Sequence, residues 1–229
     1  MKKTFVLALT LCLSLSLAAP ALAAGRGMEN FQKTDTYTGQ FADMGADHWA
    51  TPWAALCYEY GLMKGASADT FNPEGTLTVA EAVVMASRVH EIYTTGQSTL
   101  TNGDPWYQPY AEYAQENGLI APDEFADFGA NATRAQMAQI FYNAVPEEEF
   151  PTVNVFDYIP DVDYDAPNAR AIYVLYGAGV LTGSNIYGAF YPDNDVTRAE
   201  AAAILARVAL PDQRREVVLM RDFALKNTV

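Results

Sequence analysis

Cysteine, histidine and basic residues are all scarce in this chain. Its 229 residues hold two cysteines, Cys12 and Cys57, which excludes a disulfide-stapled scaffold. The two histidines, His48 and His90, offer no zinc-ligand spacing with those cysteines and no Ser-His-Asp or Cys-His order. Fourteen Lys and Arg face 28 Asp and Glu, for a net charge of −14. A chain of that sign repels nucleic acid and anionic membrane surfaces. Long apolar runs are missing as well. The longest, from Phe5 to Leu17, falls short of the roughly 20 residues that cross a bilayer. There is no Gly-rich phosphate loop. The alternating acids Asp161, Asp163 and Asp165 do not make a calcium loop, because Ala166 and Ile172 stand where its Gly and Glu belong. No metal or cofactor is expected. The many acids form no sheltered pair of the kind a glycosidase needs, so no catalytic residue is assigned.

The first residues carry an address. Met1-Lys2-Lys3, the apolar run and Ala21-Leu22-Ala23-Ala24 have the order of a secretory signal peptide, residues 1–24. Cys12 follows Leu11 rather than a small residue, so no lipid anchor is read. Losing Lys2 and Lys3 takes the net charge from −14 to −16, and the remaining cations become informative by their rarity. Cys57, the one cysteine left, lies among apolar neighbours on a helix and reads as a buried structural thiol.

Three segments carry the strongest signal: Thr78-Val79-Ala80-Glu81, Thr133-Arg134-Ala135-Gln136 and Thr197-Arg198-Ala199-Glu200. Thr with Glu or Gln three residues later is a capping box, so Thr78, Glu81, Thr133, Gln136, Thr197 and Glu200 are structural caps. Upstream stand Gly61-Leu62-Met63, Gly118-Leu119-Ile120 and Gly179-Val180-Leu181, each Gly 12 residues after the triplet ends Trp49, Trp106 and Pro167. The stretch between triplet and Gly is a short amphipathic helix, and the Gly suits a left-handed C-cap. From Gly to box Thr the loop varies, at 17, 15 and 18 residues. Each unit therefore reads helix, loop, capped helix, and the chain is an all-α internal repeat. Its divisions are an N-terminal tail over 25–40, repeats over 41–97, 98–151 and 152–210, and a C-terminal tail over 211–229. Three such repeats leave no room for a separate catalytic or cargo domain.

This ordered set resembles S-layer homology repeats. The matching pieces are Phe41-Ala42-Asp43 with Asp47-His48-Trp49, the Gly61-Leu62-Met63-Lys64-Gly65 turn, Phe71-Asn72-Pro73, the three boxes, Ile159-Pro160-Asp161 and Tyr191-Pro192-Asp193. The resemblance implies three repeats closed around a pseudo-threefold axis. It implies non-covalent anchoring to a secondary cell-wall polysaccharide, often pyruvylated, in grooves between repeats near the box arginines. It places the protein outside the cell, at a bacterial wall, with other surface-layer proteins as possible partners. The chain departs from the family pattern at Val79, where Arg is usual, at Gln136 for Glu, and at Pro167 for Trp.

Arg134 and Arg198 occupy the first helical position, where the helix dipole disfavours a cation. An anion shared by the guanidinium and the free helix N–H groups would resolve that conflict; so would a local carboxylate such as Asp193 or Asp195. If the ligand role holds, Arg198→Ala loses wall-polymer binding and keeps its thermal midpoint. Trp49 and Trp106 either stack on sugar or plug the core. Lys64, in the repeat without a box Arg, either supplies the missing cation or is a solvated turn residue. Fourteen tyrosines suit carbohydrate or interfaces alike. The alternative function is a structural envelope protein that docks partners through its tail (Arg214, Arg215, Val217, Val218, Leu219). A hydrolase of wall glycan is a third, weaker reading.

Overall fold

The computed structural model describes residues 25–217; the signal peptide and tail residues Val218 and Leu219 lie outside them. Six α-helices follow one another: α1 (Thr51–Glu59), α2 (Val79–Thr95), α3 (Gln108–Glu116), α4 (Arg134–Tyr142), α5 (Ala169–Gly177) and α6 (Arg198–Ala209). Among the described residues there is no strand, only four isolated β-bridges. The even-numbered helices start at complete capping boxes. Thr78, Thr133 and Thr197 each accept the N–H of the third helical residue through Oγ1 at 3.2 Å. Their own N–H groups donate to Glu81, Gln136 and Glu200 at 2.9 Å. The odd-numbered helices end before Gly61, Gly118 and Gly179, at φ 67°, 73° and 72°, where a side chain would be strained.

Each first helix packs on a capped helix from a different unit: α3 on α2, α5 on α4, and α1 on α6. The last pairing joins the two ends of the series and closes a ring. Small residues make that seam tight. Ala54 and Cys57 of α1 and Ala202 of α6 are wholly buried, and the Cys57 thiol donates to the Ala202 carbonyl at 3.2 Å. Burial pushes that thiol well above its usual pKa range. At the centre, the residues preceding the boxes meet in a cycle. Bridges join Thr76 to Thr197, Thr78 to Asn131, and Thr133 to Asp195. Leu77, Ala132 and Val196 are fully buried there, with the Ala132 N–H on the Leu77 carbonyl and the Leu77 N–H on the Val196 carbonyl, each at 2.8 Å.

The first and third units share a further device. The Asp43 carboxylate accepts the N–H groups of Phe71 and Asn72 at 2.8 and 2.6 Å. Asp161 does the same for Phe190 and Tyr191 at 2.8 and 2.7 Å. Both pairs hold a left-handed residue, Asn72 at φ 59° and Tyr191 at φ 58°, so that the following Pro carbonyl faces the ring. The middle unit has Leu100 at the corresponding place, and its loop is held by stacking of Phe128 on Tyr107, with ring centroids 5.0 Å apart.

Candidate functional site

The start of a helix leaves backbone N–H groups without intrahelical partners, and the ring satisfies them internally. The first two N–H groups of α2 (Val79, Ala80) donate to Ala130 and Phe128; those of α4 (Arg134, Ala135) to Asn194 and Pro192; those of α6 (Arg198, Ala199) to Gly75 and Pro73. All six bonds are 2.9–3.0 Å long, and the third N–H goes to the box Thr. None of these three helix starts remains free for an anion, contrary to the expectation drawn from the boxes.

The box arginines are likewise committed. Arg134 and Arg198 are only 6% and 4% exposed. Arg134 donates through Nε to the Phe190 carbonyl at 2.7 Å and through Nη1 to Glu200 Oε1 at 3.1 Å. Arg198 donates through Nε to the Phe71 carbonyl at 2.9 Å, through Nη1 to Glu81 Oε1 at 2.5 Å and through Nη2 to the Lys64 carbonyl at 3.0 Å. Burial holds the Arg198 guanidinium below its usual range, while Glu81 and Asp43 pull the other way. Each guanidinium also lies over the ring of the loop Phe, 5.0 Å from the Phe190 centroid and 5.4 Å from that of Phe71. The acids are the caps of other units, not the sequence neighbours Asp193 and Asp195; Asp195 instead accepts from Asn131 Nδ2 at 2.7 Å.

This explains two departures at once. Around the ring each box cation meets another unit's capping acid: Arg134 meets Glu200, and Arg198 meets Glu81. The same relation pairs position 79 with position 136, and there the chain has Val and Gln. Cation and acid are lost together, so the third link is neutral and leaves no buried charge unmatched.

Two clefts of matching make-up lie outside the arginine–acid links. The first, of about 350 Å³, is bounded by the Lys64-Gly65 turn, Glu81 and Arg88 of α2, Trp106 and Arg198. The second, of about 250 Å³, is bounded by the Thr182-Gly183 turn, Glu200 and Arg207 of α6, Trp49 and Arg134. In each, one unit supplies the turn and the capped helix, the next supplies the Trp, and the remaining one supplies the box Arg. Trp49 and Trp106 are 55% and 42% exposed, so neither plugs the core; Trp53 does, beneath the guanidinium of Arg207. Lys64 is exposed on the rim of the first cleft. At the third junction the corresponding positions hold Val79, Gln136, Asn143 and Pro167: no cation, acid or Trp.

Sequence reasoning missed Arg88 and Arg207. The signal was present, since each stands 10 residues after its box Thr while Asn143 holds that place in the middle unit. A larger cavity, of about 740 Å³, lies elsewhere, between Phe150, Phe156, Tyr173 and the Arg170–Glu147 ion pair, and none of the predicted site residues line it. The described part of the C-terminal tail is laid onto the fold. Arg214 Nη1 donates to the Glu149 carbonyl at 2.6 Å, and Val217 N–H to Asn154 Oδ1 at 2.8 Å. Among the described residues no group of three or more His, Cys, Asp or Glu could hold a metal, and no helix is long and apolar enough to cross a membrane.

Comparison with known proteins agrees with this division of the chain. The S-layer homology domain model matches residues 40–83 and 159–202, the two units that share the Asp-held loop; the middle unit lies outside the match. Over 217 residues the chain is 26% identical to an endoglucanase of Bacillus sp. (strain KSM-635), covering 90% of this chain and 22% of that protein. It is 24% identical over 220 residues to the S-layer protein sap of Bacillus anthracis, covering 90% and 24%. It is 24% identical over 213 residues to the surface-layer 125 kDa protein of Lysinibacillus sphaericus, covering 90% and 17%. The chain thus spans less than a quarter of the length of these relatives.

Proposed function

The chain carries S-layer homology domains, and from that premise we propose that it is a secreted, non-catalytic anchoring module of a bacterial cell surface. Its ligand is an anionic, carboxylate-bearing wall polysaccharide of the pyruvylated kind, held in the two clefts. Residues 41–97, 98–151 and 152–210 are its three repeats, the middle one having drifted in its loop. The third junction, with Val79, Gln136, Asn143 and Pro167, is a structural contact without a ligand.

One observation carries the proposal. Trp49, Lys64, Trp106, Arg134 and Arg198, contributed by all three units, converge on two clefts with the same plan. An exposed indole gives the C–H face of a sugar a flat platform, and cations beside it select an acidic one. Core packing does not call for this arrangement, because both indoles face solvent. Calorimetric titration with purified wall polysaccharide tests it. The expected stoichiometry is two sites, and Trp49→Ala or Trp106→Ala removes one each while the thermal midpoint stays. Binding that is unaffected when both indoles are removed would overturn the assignment.

A further inference from the structure

The charge in the two clefts does not come from where the sequence suggests. Among the described residues, Lys33, Arg134, Arg170 and Arg198 each have a carboxylate within 4.0 Å. The box arginines are therefore neutralised locally as well as buried. Arg88 and Arg207 have no such partner, and each lines its cleft at the same helical position. We infer that Arg88 and Arg207 are the residues that read the ligand's negative charge, while Arg134 and Arg198 hold the ring together and keep the capping acids in place.

Three features support this assignment. First, both guanidiniums are propped on aromatic rings rather than paired with acids. Arg88 lies 5.6 Å from the Tyr110 centroid, with Nη2 at 3.5 Å from the Tyr110 hydroxyl. Arg207 lies 4.7 Å from the Trp53 centroid, with Nη1 donating to the Val180 carbonyl at 3.2 Å. A guanidinium has five donors, so most of each fork is left for a carboxylate in two-point contact. Second, Arg207 shares the Trp53 indole with Arg215, whose guanidinium is 5.5 Å from the same centroid, and its Nε is buried without an acceptor. Burial and that like charge pull the Arg207 pKa down to about 10. A bound anion would relieve this crowding. Third, the middle unit shows that the fold does not need the charge. There Asn143 Nδ2 donates to the Leu119 carbonyl at 2.8 Å, the counterpart of the Arg207 contact with Val180, one residue past the left-handed Gly in each unit. A neutral amide does the structural task at the junction that also lacks Trp and box Arg.

The inference rests on the clefts being carbohydrate sites, and the experiment separates the two. The probes are a methyl hexosaminide bearing a 4,6-pyruvate ketal and the same sugar without the ketal, titrated against the full mature chain. Arg88→Asn and Arg207→Asn, which copy Asn143, are each expected to weaken the ketal sugar at one site by about tenfold to a hundredfold, the worth of a charge-assisted hydrogen bond. They should leave the weaker binding of the plain sugar unchanged. Arg88→Lys and Arg207→Lys, with the charge kept, should retain the preference for the ketal, which controls for misfolding. Parent binding with the Asn variants unaffected would overturn the role of Arg88 and Arg207 and leave the clefts standing. No binding of either sugar by the parent would overturn the cleft reading and this inference with it.

Discussion

Replacing Arg198 with Val should destabilise the ring, and replacing Glu81 with Gln in the same chain should restore much of what is lost. The single change removes three hydrogen bonds, to Phe71, Glu81 and Lys64, and leaves the Glu81 carboxylate without its cation. Breaking one side of a buried pair costs about 3–5 kcal/mol. The Glu81 side chain is 26% exposed, so water softens the loss and the lower end, about 3 kcal/mol, applies. For a chain of this size that is a fall of roughly 6–12 °C in Tm. In the double variant the glutamine introduced at position 81 keeps the capping box, as Gln136 does with Thr133, and no carboxylate is orphaned. Only the carbonyls of Phe71 and Lys64 then lack their donor, about 1–1.5 kcal/mol. Valine at position 198 facing glutamine at position 81 reproduces the neutral Val79–Gln136 link already in the ring. Thermal unfolding followed by circular dichroism reads all four corners of the cycle. A single variant within about 1 °C of the parent, against the fall expected for a domain of this length, or a double variant as unstable as the single, would refute the account. The first of those results would restore the simpler expectation that Arg198 serves binding alone.

Two further outcomes follow from the titratable groups. His90, half-buried with Nδ1 at 2.8 Å from the Tyr113 hydroxyl, has its pKa lowered from 6.5 by burial and by the charge of Arg26. The unfolded chain therefore takes up this proton first as pH falls. Stability is fully present above about 6.5, declines below it, and levels off once the folded form also protonates. Urea midpoints measured across that window, from neutral to mildly acidic pH, should show the decline, and His90→Gln should flatten it; an unchanged slope would contradict the assignment. Cys57, with its thiol raised by burial in the α1–α6 seam, should resist a thiol reagent at mildly alkaline pH in the native state and react stoichiometrically in denaturant. Rapid labelling of the folded chain would mean that the seam opens.

What sequence reading captured is local. Capping boxes, left-handed Gly residues and the helical period of α1, α3 and α5 are set by residues within a turn or two of each other. Partners set by ring closure were out of reach. Arg134 finds its acid 66 residues away and Arg198 finds its own 117 residues away, whereas a linear reading offers Asp193 and Asp195. The exposure of Trp49 and Trp106 is decided by which unit lies opposite, so core and surface looked alike until the units were placed. One long-range clue was nevertheless legible. Val79 and Gln136 are complementary losses, and two such losses in one chain already point to a pairing between boxes.

Closure of α1 onto α6 also governs how the module can come into being. Cys57 and the carbonyl it meets are 145 residues apart, and contacts that distant form late and slowly. A chain emerging amino end first presents the Ala-lined face of α1 long before its complement exists. Translocation must run nearly to completion before the assembly can lock, and until then that sticky surface has to be sheltered from proteases and from sister chains.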